Sequence, residues 1–174
     1  MRCSVRLILS VSAALAASHA LAQTTQTITV SSSVPQVLAL TVDTNTVTMN
    51  FVTGDYNATT GAATKTTTSA NTFSVSSNKS WTVSVKANTA AFSFTPSLGD
   101  TDPSKPAGNL SYKLSTAGTY TALTTTNASV KTGSKGGTAT SGNSFIMDYQ
   151  LTSNLSQDPP GTYSLAVVYT LTAP

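Results

Sequence analysis

The chain has 174 residues and a formal net charge of +3, with one Cys and one His. Cys3, His19 and both arginines, Arg2 and Arg6, fall within the first 22 residues, and the six acidic residues are all Asp. The chain beyond residue 22 thus holds seven Lys against six Asp, a net of +1, with no thiolate, imidazole, guanidinium or glutamate. That excludes disulfides, the usual zinc and copper ligand sets, most acid–base catalysis and a basic nucleic-acid-binding face.

The first element is a leader. Arg2 and Arg6 form a short positive region, residues 7–17 are almost uninterruptedly apolar, and Ala20-Leu21-Ala22 supplies a small-x-small cleavage pattern. A secretory signal peptide is expected over residues 1–22, leaving a single domain over 23–174. The apolar run is shorter than the roughly 20 residues a transmembrane helix needs, so no transmembrane segment is expected. Cys3 is also misplaced for a lipid anchor.

Beyond the leader, large apolar side chains recur at every second position. Ile28 and Val30 open the series, followed by Val47, Met49 and Phe51, then Phe73 and Val75, then Trp81, Val83 and Val85. Phe92 and Phe94 come next, and Leu110, Tyr112 and Leu114 after them. The series closes with Phe145, Met147, Tyr149 and Leu151, then Tyr163, Leu165, Val167, Tyr169 and Leu171. A period of two, with Ser, Thr and Lys between, describes strands with one face buried. Residues 37–42, apolar on both faces, are expected to lie deeper.

Turn residues punctuate the runs at the spacing of a sandwich. Residues 73–77 and 80–86 read as a tight hairpin about Asn78-Lys79, and the Thr-rich residues 58–69 and Gly-rich residues 132–143 read as loops. The expected fold is all-β: an antiparallel two-sheet β-sandwich, immunoglobulin-like, of about eight or nine strands.

Candidate sites are few. Asp100 and Asp102 offer two carboxylates where calcium takes six to eight oxygens, so a turn is the better reading. Trp81 is in phase with Val83 and Val85, which directs it into the core rather than toward a sugar. No activated nucleophile or acid–base pair is evident, and the chain is expected to be non-catalytic, without cofactor or metal.

Two stretches carry a resemblance. Trp81-Thr82-Val83 in mid-chain and Tyr169-Thr170-Leu171 in the last strand, after Gly161-Thr162-Tyr163, resemble the paired Trp-x-Leu motifs of WxL-domain bacterial surface proteins. Val83 stands in place of Leu and Tyr169 in place of Trp. The resemblance implies a secreted protein attached non-covalently to a cell-wall or surface-layer polymer. The closing strand is also similar to that of chaperone–usher pilin subunits, which lack one strand and receive it from a neighbour. That similarity implies copies of the chain as partners, with residues 23–34 as donor and Ile28, Val30 and Val34 on its apolar face. From alternation alone, the same segment is better read as the domain's own first strand.

The sequence therefore leads to a secreted, non-catalytic structural or adhesive protein of a bacterial surface, held to the wall, with a strand-exchanging fibre as the alternative. A carbohydrate-binding module is the competitor, with Tyr56, Tyr112 and Tyr120 as its only reasonable platform.

Overall fold

The computed structural model describes residues 26–174, and the signal-peptide reading lies outside them. The described residues 26–34 form a segment by themselves, without strand structure, in which Ile28, Val30 and Val34 are exposed. From Pro35 onward the chain forms one unit.

That unit contains ten strands: β1 (Leu38–Val42), β2 (Ala62–Ser77), β3 (Trp81–Ala87), β4 (Ser93–Pro96), β5 (Leu110–Leu114), β6 (Thr121–Ala122), β7 (Ala128–Gly133), β8 (Ser144–Asn154), β9 (Gly161–Ser164) and β10 (Val167–Thr172). Only two short 3-10 turns accompany them. All pairings are antiparallel. One sheet runs β1-β2-β8-β5-β6, the second β10-β3-β7, and β4 pairs with β9 in a small third ladder.

The period-two pattern accounts for how the two main sheets meet. In β3, Trp81, Val83, Val85 and Ala87 are buried while Thr82, Ser84 and Lys86 are half-exposed. From the opposite sheet, Phe73, Val75, Tyr112, Phe145, Met147 and Tyr149 enter the same core. Each large side chain so buried contributes roughly 1.5–3 kcal/mol relative to exposure. Phe73 and Phe145 stack at 5.2 Å, and Phe73 meets Tyr169 of the facing sheet at 4.4 Å.

Several local expectations are corrected. Residues 73–77 and 80–86 do not form a hairpin. β2 and β3 belong to different sheets, and Asn78-Lys79 is the arch between them. Val75 and Ser77 point into the sandwich from one side and Trp81 and Val83 from the other, which a paired hairpin would prevent. Residues 62–69, read as loop, are the first half of β2, paired with β8. Their Thr side chains suit an ordered strand whose neighbour supplies the ladder. Residues 37–42 do not lie deep. β1 is an edge strand, and Val37, Leu38 and Val42 remain 37–47% exposed. The closing run is split, with β9 in the small ladder and β10 in the second sheet.

Candidate functional site

The two halves of the Trp-x-Leu-like motif lie on paired strands. Trp81, Thr82 and Val83 open β3; Tyr169, Thr170 and Leu171 lie in β10, with Leu171 opposite Val83 and Thr170 opposite Ser84. Trp81 is only 2% exposed, and its indole N–H donates to the Ser134 carbonyl at 3.0 Å. Tyr169 is half-buried and shares a 2.7 Å hydrogen bond with the Tyr149 hydroxyl. Burial pushes the Tyr169 phenol far above its ordinary value, with Tyr149 adding to the effect. Both aromatic anchors are therefore engaged in packing, and Trp81 offers no free face to a polymer. Of the sugar-platform tyrosines, Tyr112 is buried, and Tyr56 and Tyr120 are half-buried.

The acidic residues do not gather into a centre. Among the described residues no group of three or more metal-ligating side chains assembles. Asp102 accepts from the Ser104 backbone N–H, the geometry of a local turn. Asp148 sits on the outer face of β8, beneath an irregularity in β2 between Thr67 and Asn71. It accepts from the Ser69 N–H at 2.8 Å and from the Ser115 hydroxyl, with Lys113 at 3.6 Å. Burial works to raise its pKa, but these donors outweigh it and hold the carboxyl below its ordinary value.

Among the described residues the two main sheets leave four edge strands, β1, β6, β7 and β10. Among the described residues β10 has β3 on one side and no strand on the other, yet Val167, Tyr169 and Leu171 pack on the core. The chain after β1 behaves similarly. Val47, Met49 and Phe51 alternate half-buried with exposed Thr48 and Asn50, and Val47 and Met49 pack on that same core. Residues 47–51 nevertheless form no strand, and no hydrogen bond joins their backbone to the rest of the described chain. Buried or half-buried backbone is ordinarily paired. Among the described residues, one strand paired on a single side and one segment with strand-like side-chain alternation but no backbone partner thus border one core.

The arch at Asn78-Lys79 gathers the ends of the unit beside this edge. Asn78 accepts from the Val37 N–H at 3.0 Å and donates to the Pro35 carbonyl at 2.8 Å; Lys79 donates to Pro174 at 2.7 Å. The start of β1, opposite Ser77, and the end of β10, opposite Thr82, consequently share one pole.

A second cluster escaped the sequence reading. Lys105 and Asp158 form an ion pair with side chains only 2% and 7% exposed. Asp158 also accepts from the Ser153 hydroxyl and the Asn154 N–H, and Ser153 meets the Tyr56 hydroxyl at 3.2 Å. Burial acts to raise the Asp158 pKa, and these hydrogen bonds more than reverse it. Tyr163, 5.5 Å from the Lys105 nitrogen, is pushed up to about 12 by burial and then by the Asp158 charge. The only sequence signal was a Lys between Pro103 and Pro106 and an Asp before Pro159, both of which read as turns.

No protein-family model matches this chain, and no curated protein matches it. Among the described residues, no helix is long and apolar enough to cross a membrane.

Proposed function

We propose that this chain is a non-catalytic structural subunit of a bacterial surface fibre, assembled by exchange of strands between copies. The observation that carries this reading is the edge of β10, open among the described residues, together with residues 47–51, which have no backbone partner there and set Val47 and Met49 on the same core. A strand laid along β10 would gain main-chain hydrogen bonds and cover apolar side chains at alternate positions, the general mode of β-augmentation. Residues 26–34 have the matching chemistry: Ile28, Val30 and Val34 share one phase, stand exposed and belong to no strand.

The shared pole of β1 and β10 bears on the form of the assembly. The extension leaves its own subunit at the pole where β10 ends. A donor running parallel to β10 would bring two such poles together, favouring a closed reciprocal pair. A donor running antiparallel leads out past the start of β10, so that unlike poles meet and the contact repeats without closing. The fibre reading requires the antiparallel arrangement.

Wall attachment through the Trp-x-Leu-like residues is the less favoured reading, because Trp81 and Tyr169 are occupied in packing. The test is an assembly assay on the purified exported protein. A ladder of oligomers is expected, collapsing to monomer in the Ile28→Asp/Val30→Asp variant with the monomer's melting curve unchanged. An unaltered ladder, or dimers alone in the wild type, overturns the proposal.

A further inference from the structure

The chemistry of the buried Lys105–Asp158 pair does not depend on the fibre reading. We infer that Lys105 and Asp158 are a modification site, condensing within the folded chain into a side-chain amide that staples the 97–106 loop to the β8–β9 connection.

Three features of the geometry point there. The first is isolation with contact: the two groups touch, and water is almost wholly excluded from both. Among the described residues Asp158 is the only hydrogen-bond acceptor for the Lys105 nitrogen, which also lies over the ring of Tyr163 at 5.5 Å from its centre. A buried ammonium with a single acceptor is poorly compensated, and condensation of the pair to an amide removes both charges at once. Held amine and carboxyl groups also behave as if at very high mutual concentration, with effective molarities of about 10⁵–10⁸ M in well-oriented cases.

The second feature is the asymmetry of the carboxyl group. Oδ2 accepts from the Ser153 hydroxyl at 2.8 Å, from the Asn154 N–H at 3.0 Å and from Lys105 itself, while among the described residues no hydrogen bond holds Oδ1. Fixed donors on one oxygen are suited to the negative charge that develops on it when a nucleophile adds to the carbon. The other oxygen is left free to depart. The third feature is Pro159. The reaction that competes for an activated Asp carboxyl is ring closure by attack of the next backbone nitrogen, and proline has no N–H to lose in that step. The competing ring closure is blocked in favour of an external amine.

The step balances without an oxidant or co-reactant. The ammonium gives one proton to the carboxylate through its contact with Oδ2, that proton passes to Oδ1, Nζ adds to Cγ, and Oδ2 carries the negative charge of the tetrahedral intermediate while the nitrogen carries the positive one. A second proton then moves from nitrogen to Oδ1, the Cγ–Oδ1 bond breaks, and one water leaves, with an amide N–H remaining. The new bond joins positions 53 residues apart. In a chain without Cys beyond residue 3, it supplies the loop constraint that a disulfide supplies elsewhere.

The experiment is mass spectrometry of the exported wild-type protein and of Lys105→Arg, which keeps the charge pair but presents no primary amine. The expected wild-type chain is lighter than its mature sequence by one water, and digestion yields a branched peptide containing positions 105 and 158. Lys105→Arg should show the full mass. A wild-type protein of full mass whose Lys105 amine is acetylated completely after unfolding overturns the inference. So does a water deficit that persists in Lys105→Arg.

Discussion

Gly133→Ala is a small change with a large expected effect. Alanine in place of glycine normally raises stability by about 0.4–1 kcal/mol where the backbone tolerates it, because the unfolded chain loses freedom. Gly133 is outside the left-handed region, so its backbone raises no objection. The obstacle is Trp81. A Cβ at position 133 would lie 2.1 Å from Cζ2, 2.4 Å from Cε2 and 2.9 Å from Cη2 of the indole. The ring has little room to retreat, since it is 2% exposed and tied through its N–H to the Ser134 carbonyl. Overpacking of this kind typically costs about 1–3 kcal/mol, and the tether places the expectation at the upper end, well beyond the entropic gain. Urea unfolding followed by circular dichroism measures the loss, and the emission of the sole tryptophan reports whether the ring has been displaced. Trp81→Ala alone should cost about 3–5 kcal/mol, a large part of the 5–15 kcal/mol typical of a domain. In that background Gly133→Ala should become neutral or stabilising, giving a coupling of about 2–3 kcal/mol, within the range seen for residues in contact. A Gly133→Ala protein as stable as wild type, or additive effects of the two substitutions, would refute the packing argument.

Two further outcomes are expected. Because hydrogen bonds hold the Asp148 carboxyl below its ordinary value, its stabilising contribution is complete above the ordinary carboxylate range and is lost as pH falls through the folded-state value. Asp148→Asn should therefore lower stability at neutral pH by about 1–3 kcal/mol and flatten the acid limb of a stability–pH profile. Asn78→Ala removes both hydrogen bonds to Pro35 and Val37, at about 1 kcal/mol each, and should speed amide exchange in β1 more than in β3.

The alternation of β3 and β8 was plain in the sequence because each strand has one face on the core, and the burial of Trp81 agrees with its phase with Val83 and Val85. Alternation identifies a buried face but not the partner across the ladder. Hence Asn78-Lys79 looked like a hairpin turn, although β2 and β3 face each other across the core. The Thr-rich start of β2 was missed because its stability comes from the β8 ladder and not from large apolar side chains. Residues 47–51 show the opposite failure, with a strand's side-chain pattern but no backbone partner in the described chain. Lys105 and Asp158 were illegible because 53 residues separate them and each sits in a proline-rich turn.

The clasp at Asn78 also has a mechanical consequence. β1 begins at Leu38, just inside the clasp, and its five residues pair in register with Phe73–Ser77 of β2. Tension applied to the chain ahead of Pro35 pulls along the axis of β1. Its ladder is then loaded in shear, with all its hydrogen bonds sharing the force, and does not open one bond at a time like a zipper. The Asn78 bonds to Pro35 and Val37 lie first in the line of force and should yield first, while the long β2–β8 ladder behind them stays intact.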